Sequence, residues 1–475
     1  METVAFAAAD AAEWRALVAK SLKGKSFETL STRAADGFVY GPLYPRKADA
    51  EPLARAGSRP WTVFQRLDDP DAERAGGQAR EDLAGGASGL ALAFAGSLAG
   101  RGFGLAPEAE AVRRALDGVR LEMIALRIEP CRDIGGAAEA IEALAGARGQ
   151  GIETLAVDLC RDPFAVAAFD GRLAGDAAAM RRQAADFARA VRERGFRGRI
   201  VEADGRIYHD AGATAGQELG AVLAVAVEHL RGLEAAGLSL AEAAGAIGFT
   251  LPVDQTEFEQ IAKLRALRLL WARVLEACGE AAPPPARIHA ETSWRMMAAK
   301  DPHTNILRAT VAAFAAGAGG ADSLSVLPYT APLGLADPAA RRLARNTQLI
   351  LQEETGLSRL VDPAAGSGAI EALTDLTAEV AWGEFQKIEA DGGIAASLAS
   401  GALQGRIADA RAAARHKLDE GEAGIVGANL YPPDAERVHA LIEAEPTVAA
   451  VATTGGIACE PLAPCRLSEA VETAR

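Results

Sequence analysis

The chain has 475 residues, 49 % of them apolar, enough for a large buried core. That length corresponds to two or three ordinary domains, or to one α/β barrel of roughly 200–250 residues with additions. Its formal net charge of −14 argues against nucleic acid or a membrane surface as the main partner, because both demand clustered Lys and Arg.

Residues 1–58 read as an arm. A helix is expected around 11–23, followed by "FVYGPLYPRKADAEPLARAGSRP" (38–60), rich in Pro and Gly and without periodicity. Such a segment has too little core of its own and is expected to lie along another surface. The N-terminus has no basic region followed by an apolar stretch, as a signal peptide would, and no run of about 18 apolar residues occurs. Five cysteines (Cys131, Cys160, Cys278, Cys459 and Cys465) show no C-x-x-C pairing and no metal-ligand rhythm. That usage suits a reducing cytoplasm.

From about 85 to 370, β-like runs alternate with helical stretches. The runs are "GLALAF" (89–94), "EMIALRIE" (122–129), "ETLAVDL" (153–159), "GRIVEADG" (198–205), "AIGFTLPV" (246–253), "ARIHAET" (286–292), "DSLSVLP" (322–328) and "SRLVDP" (358–363). Strong helices are expected at 215–236, 254–279 and 338–355. Eight strands with crossover helices and no dinucleotide fingerprint predict a (β/α)₈ TIM barrel over 59–370. A helical extension over 371–420 and a turn-rich, linker-like tail over 421–475 complete the chain.

Two glycine-rich stretches need a bland reading beside a chemical one. "LVDPAAGSGAIEALT" (360–374) runs strand, acid, glycine loop, helix, and could offer backbone N–H groups to a phosphate or carboxylate. It also resembles a loop of S-adenosylmethionine-dependent methyltransferases, but such an enzyme would continue with further strands. The bland reading is a tight turn. "AAGAGGADS" (315–323) reads as a helix C-cap.

The most distinctive stretch is "RIHAETSWRMMAAKDPHTNILRATVAAFAAGAGGADSLSVLPY" (287–329). Thr292, Ser293 and Trp294 end a strand, where barrel enzymes place functional side chains. Together with "SRPWTVFQR" (58–66), "ARRLARNTQLILQEETGLSRLVDPAAGSG" (340–368) and "ALTDLTAEVAWGEFQKIEADGG" (372–393), it resembles the methylmalonyl-CoA mutase family over about residues 10–430. The resemblance implies a barrel whose axis takes the pantetheine arm of an acyl-CoA. It also implies adenosylcobalamin on a separate C-terminal domain, held through Asp-x-His-x-x-Gly.

The motifs of catalytic members are altered in this chain. Where they carry "GYHMQEAGA", ungapped alignment on "AGATA" (211–215) puts Arg206 at the tyrosine and Ile207 at the histidine. His209 arrives two residues late and is read as structural; only a two-residue deletion would restore it to the catalytic place. "THRGYDSD" becomes "AGRGFGLA" (99–106), with Phe103 in place of tyrosine and Gly104 after it. "GTIQND" is replaced by "AVDLCRDPFA" (156–165), and "LHTNALDEAL" by "LSVLPYTAPL" (324–333), which leaves Ser325 and Leu327 at the cobalamin-facing rim. None of the six histidines has Asp two before and Gly three after.

The resemblance is therefore to the small, non-catalytic (β) subunits of the family, and "LKGKSFETLSTRAADGFVYGPLYPR" (22–46) supports it. It implies a heterodimer with a homologous large (α) subunit that holds adenosylcobalamin, the 1–58 arm lying on that partner. No cofactor or metal is expected on this chain, and no catalytic residue. Residual coenzyme A contacts are placed at Arg59, Thr62, His289 and Ser293, although each also has a purely scaffolding reading. One alternative is the catalytic barrel of a split mutase served by a separate cobalamin protein; the other is the methyltransferase.

Overall fold

The computed structural model describes residues 10–53, 55, 60–434, 438–447 and 455–472. Eight parallel strands form its centre: β1 (Thr62–Leu67), β2 (Gly89–Leu92), β3 (Ala125–Ile128), β4 (Ala156–Asp158), β5 (Val201–Asp204), β6 (Ile247–Val253), β7 (Ile288–Thr292) and β8 (Ser323–Ser325). They are ordered β4-β3-β2-β1-β8-β7-β6-β5. Three backbone hydrogen bonds then join the ends of that series: Leu159 N–H to Arg199 O (2.9 Å), Arg161 N–H to Ile200 O (3.4 Å) and Glu202 N–H to Arg161 O (3.0 Å). At this seam Gly198 is required, because any Cβ would run into the Val157 carbonyl.

The expected barrel is present, with one strand relocated. Seven of the eight runs named from the sequence contain a strand, but 358–363 does not. Leu357–Arg359 is a single 3₁₀ turn, and the Asp362 carboxylate accepts from the Leu53 amide and pairs with Arg265. The missing strand is β1, inside "RPWTVFQR". Its neighbours are β8 and β2, so only long-range pairing tells it apart from the arm that precedes it.

Helices follow the strands in order. An arm helix, α1 (Ala11–Ser21), precedes the barrel. Then come α2 (Ala72–Ala84), α3 (Ala109–Ala115), α4 (Ile134–Ala147), α5 (Pro163–Asp170), α6 (Ala177–Glu193), α7 (Arg206–Asp210), α8 (Ala215–Ala235), α9 (Leu240–Ala246), α10 (Glu257–Ala277), α11 (Thr304–Ala318) and α12 (Pro338–Leu349). Local chemistry starts them. Asp71, Asp133, Asp162, Asp176 and Asp337 accept first-turn amides, and Thr214 and Ser239 form capping boxes with Gln217 and Glu242; such caps are worth about 1 kcal/mol each. α12 continues as a π turn over Ile350–Glu354. No helix among the described residues is long and apolar enough to cross a membrane.

The extension consists of α13 (Gly368–Ala390), α14 (Ile394–Ser400) and α15 (Ala402–Asp419). α13 lies across α8 and α10, and Arg265 on α10 binds Glu371 at 2.7 Å. The arm follows this chain's own barrel. Asp36 accepts the Gly216 amide at 3.1 Å, the Tyr40 hydroxyl donates to Glu259 at 3.3 Å, and Lys47 N–H donates to Gly366 O at 3.2 Å. α1 buries none of its residues.

The tail crosses the C-terminal end of the barrel. Leu462 N–H donates to Ala168 O (2.7 Å), Cys465 N–H to Asp210 O (2.8 Å) and Leu467 N–H to Arg295 O (3.0 Å). Across the rim, Ile442 N–H donates to Leu335 O (2.9 Å) and Thr447 N–H to Gly102 O (2.6 Å).

The β8–β1 side is tied to the helix layer by Asp82 of α2. This buried carboxylate takes Gln65 of β1 (3.1 Å) together with Arg345 (2.6 Å) and Arg341 of α12. Asp82→Ala strands two buried guanidiniums, and is expected to cost about 3–5 kcal/mol. Urea unfolding of the purified variant measures it; a loss under about 1 kcal/mol would show that the clamp is dispensable.

Candidate functional site

Inward-facing positions are identified by partners on strands that are not neighbours. Arg127 of β3 reaches Glu202 of β5 (3.1 and 2.5 Å) and Thr250 of β6 (2.7 Å), while its Nε binds Glu129 (2.9 Å). Arg206 gives one guanidinium nitrogen to Glu129, a second to Glu291 of β7 (3.1 Å), and Nε to Asp204 (3.0 Å). Arg66 of β1 binds the same Glu291 at 2.9 Å and Asp68 at 3.2 Å. Arg101, on the loop after β2, closes the set on Glu291 (3.1 Å) and Asp210 (3.1 Å). The barrel axis is filled by guanidinium–carboxylate contacts, and all but Arg101 and Asp68 among these charged groups are buried.

Burial and pairing oppose one another in this lattice. Burial raises the Glu129 carboxyl, but Arg127 and Arg206 outweigh it and hold the group well below the usual range. Glu291 behaves likewise under Arg206, Arg66 and Arg101, ending at about 2. Asp204 and Asp210 stay raised because desolvation wins there. His289, on β7, shares a hydrogen bond with Ser323 Oγ (2.9 Å) and meets the Phe64 ring edge-on at 5.5 Å. Burial and the nearby Arg127 keep it neutral.

At the C-terminal rim there is little free volume. A cavity of about 40 Å³ lies among Arg66, Arg101, Phe103 and Leu327, room for a few waters at most. Phe103 is followed by Gly104, which has φ +117° and could not carry a Cβ without meeting the Phe94–Ala95 peptide. Ile207 is fully buried in α7, and Ser325 is buried on β8 with its Oγ unpartnered. These side chains and the overlying tail do not fit a corrin ring facing a thioester, so no chemical step through adenosylcobalamin is assigned to them.

His209 lies in a buried relay beside the rim. Its Nε2 faces Ser293 Oγ at 2.7 Å and its Nδ1 faces Glu218 of α8 at 3.1 Å; Glu218 also holds Lys263 of α10 at 3.1 Å. Burial, with Arg295, Lys263 and Arg101 nearby, drives the imidazole well below its ordinary pKa, and burial lifts Glu218 to about 7. The hydrogen-bond pattern assigns the proton to Nδ1, so Nε2 accepts from the serine. The order serine, histidine, carboxylate resembles a nucleophile relay, yet all three groups are buried and the carboxylate comes from the helix layer, where Lys263 also holds it.

The candidate coenzyme A contacts do not converge. Thr62 lines a cavity of about 370 Å³ at the opposite, N-terminal mouth, beside Arg55, Arg197, Arg199 and Arg287. His289 belongs to the axis, Ser293 is engaged by His209, and Arg59 lies outside the described residues. Sequence reading missed the lattice, although a signal was present. In "ALRIE", "VEAD" and "IHAET" a charged or polar residue recurs at every second position of a strand, the spacing that sends side chains to one face.

Eight parallel strands closed on themselves, with the helices outside and the loops after the strand ends gathered at one rim, define a (β/α)₈-barrel protein. The chain belongs to the methylmalonyl-CoA mutase family, whose sequence model matches residues 54–454. It is 39 % identical to a methylmalonyl-CoA mutase small subunit of Streptomyces virginiae, over 89 % of this chain and 68 % of that protein. It is 33 % identical to the small subunit of Propionibacterium freudenreichii subsp. shermanii, over 90 % and 67 %. A large subunit from Streptomyces virginiae is 30 % identical over 90 % of this chain and 62 % of its own length. The chain thus spans about two thirds of the length of these relatives.

Glu291 gives the lattice a pH signature. Its folded pKa is depressed from 4.5 to about 2, so its contribution is complete above pH 4.5 and is lost as the pH falls through 2. Glu291→Gln is expected to flatten the acid limb of stability between those values. At neutral pH it should cost about 3–5 kcal/mol, because three guanidiniums lose their shared partner. Denaturant titrations from pH 7 to 2 test both; an unchanged acid limb would count against the assignment.

Proposed function

We propose that this chain acts as a non-catalytic small (β) subunit of a heteromeric methylmalonyl-CoA mutase. The partner is a homologous large subunit that holds adenosylcobalamin and interconverts (R)-methylmalonyl-CoA and succinyl-CoA. This chain's part is to complete and stabilise the complex in the cytoplasm, and α1, which buries nothing on its own barrel, is the piece of the arm left for the partner.

One observation carries the reading: the axis that would take a pantetheine arm is occupied by Arg66, Arg127 and Arg206 locked onto Glu129, Glu202 and Glu291. Opening a channel would leave buried charges unpaired, each costing several kcal/mol. The rim supports the same conclusion, with Ile207, Phe103 and Ser325 under the chain's own tail. The split-mutase alternative needs an imidazole addressing the axis, whereas His209 is engaged by Ser293 and Glu218. The methyltransferase alternative needs a free acid in the glycine loop, whereas Asp362 is held by Arg265 and the Leu53 amide. Any acyl-CoA contact that persists is made at the N-terminal mouth, where Thr62 and the four arginines gather.

The purified chain, given adenosylcobalamin and methylmalonyl-CoA, is expected to show no turnover and no cobalamin spectrum after gel filtration. Co-expressed with its large subunit, it should co-purify and raise the yield of active mutase. Succinyl-CoA formation by the chain alone, or by the chain with a separate cobalamin-binding protein, would refute the proposal.

A further inference from the structure

The outer faces of the barrel helices are not alike. α3 and α6 carry short-range ion pairs toward solvent, Glu110 with Arg113 and Arg114, and Asp186 with Arg189. α11 and α12 turn apolar side chains outward instead. On α11, Leu307, Val311 and Phe314 are 69, 36 and 36 % exposed; Leu343 on α12 is 45 % exposed, and Ile350, first residue of the π turn that continues it, 47 %. In both helices the spacing is that of one face. The helices are packed side by side, so the two stripes run together. Val426, 50 % exposed, extends the patch, since its carbonyl takes Arg308 of α11.

These side chains present apolar surface on the order of 500 Å², near the upper end of the largest patch on a typical monomer. One side of a standard protein interface buries about 800 Å², so the patch suffices for the centre of one. It stands on the convex side of two helices rather than around a concavity, which suits a protein and not a small molecule.

The charge around the patch is mixed. α11 and α12 contain no Asp, Glu or Lys, and Arg341 and Arg345 are turned inward onto Asp82, but Glu353 and Glu354 are exposed just beyond Ile350, and Asp301 and Glu472 lie near Arg308. The choice of partner therefore rests on the family, in which a small and a large subunit of one organism are both homologous to this chain, and on an apolar area suited to the centre of a protein interface.

We propose that the α11–α12 face is the docking surface for the barrel of the large subunit, seated on Leu307, Phe314 and Leu343. The assignment rests on the heteromeric reading above and goes beyond it in naming the surface. The test is co-expression of the full chain with its large subunit, using Leu307→Asp, Phe314→Asp and Leu343→Asp. Met123→Asp, at an isolated exposed apolar residue, serves as control. Thermal unfolding of each chain alone should match the parent, because these positions face solvent.

The expected result is a one-to-one complex for the parent and control, with affinity at least tenfold weaker for each face variant. Face variants that co-purify like the parent overturn the docking surface while leaving the pairing intact. A parent chain that fails to bind the large subunit overturns the pairing itself. A parent chain that dimerises alone, with the dimer dissolved by the same substitutions, assigns the face to a second copy and overturns the proposal.

Discussion

Three guanidiniums enclosed by eight strands impose a condition that the rest of the molecule has to meet. A barrel of this kind ordinarily fills its interior with layers of branched apolar side chains. Here Arg66, Arg127 and Arg206 occupy that space, with Arg101 above them, and each needs a carboxylate at hydrogen-bonding distance. Coulomb attraction inside the barrel is strong, but so is the loss of hydration, and the two nearly cancel. Such a lattice therefore adds little net stability. What it does is fix which strands stand opposite one another, because a slip of one residue would point each charge into the helix layer.

The lattice also sorts the protons of the interior. Glu129 and Glu291, each touched by two or more guanidiniums, are held ionised. Asp204 and Asp210 are pushed the other way by burial, and Asp162, a helix cap against the same end of the barrel, is lifted to about 7. The imidazoles of His209, His229 and His289 are driven neutral for the same reason. With the basic charge committed to carboxylates, little is left over to receive an anionic ligand along the axis. Arginines line larger open cavities away from the axis, at the N-terminal mouth and between α15 and the tail.

The outside of the barrel is finished unevenly. α8 and α10 lie beneath α13, the arm follows α10 and the 358–368 loop, and the tail crosses the C-terminal rim. The arm and the tail are poor in core residues of their own and gain order from the surface beneath them, whereas α13 buries Ile370, Leu373, Ala381 and Ile388. The functional end of the barrel is thereby roofed by the chain itself, while α11 and α12 keep an apolar face toward solvent.

Much of this architecture is local and could be read from one sequence. Alternating β-like and helical runs, aspartate or capping-box starts and the absence of a dinucleotide fingerprint lead to a barrel, and the altered rim motifs mark Phe103, Ile207 and Ser325. Two features needed the tertiary structure. β1 resembles the arm before it and is separated from it by pairing with β2 and with β8, the latter more than 250 residues away. The lattice depends on which strands face each other across the axis. Arg127 and Glu202 are 75 residues apart, and their meeting is decided by barrel closure, because a charge every second residue names a face of the sheet but not the partner that waits there.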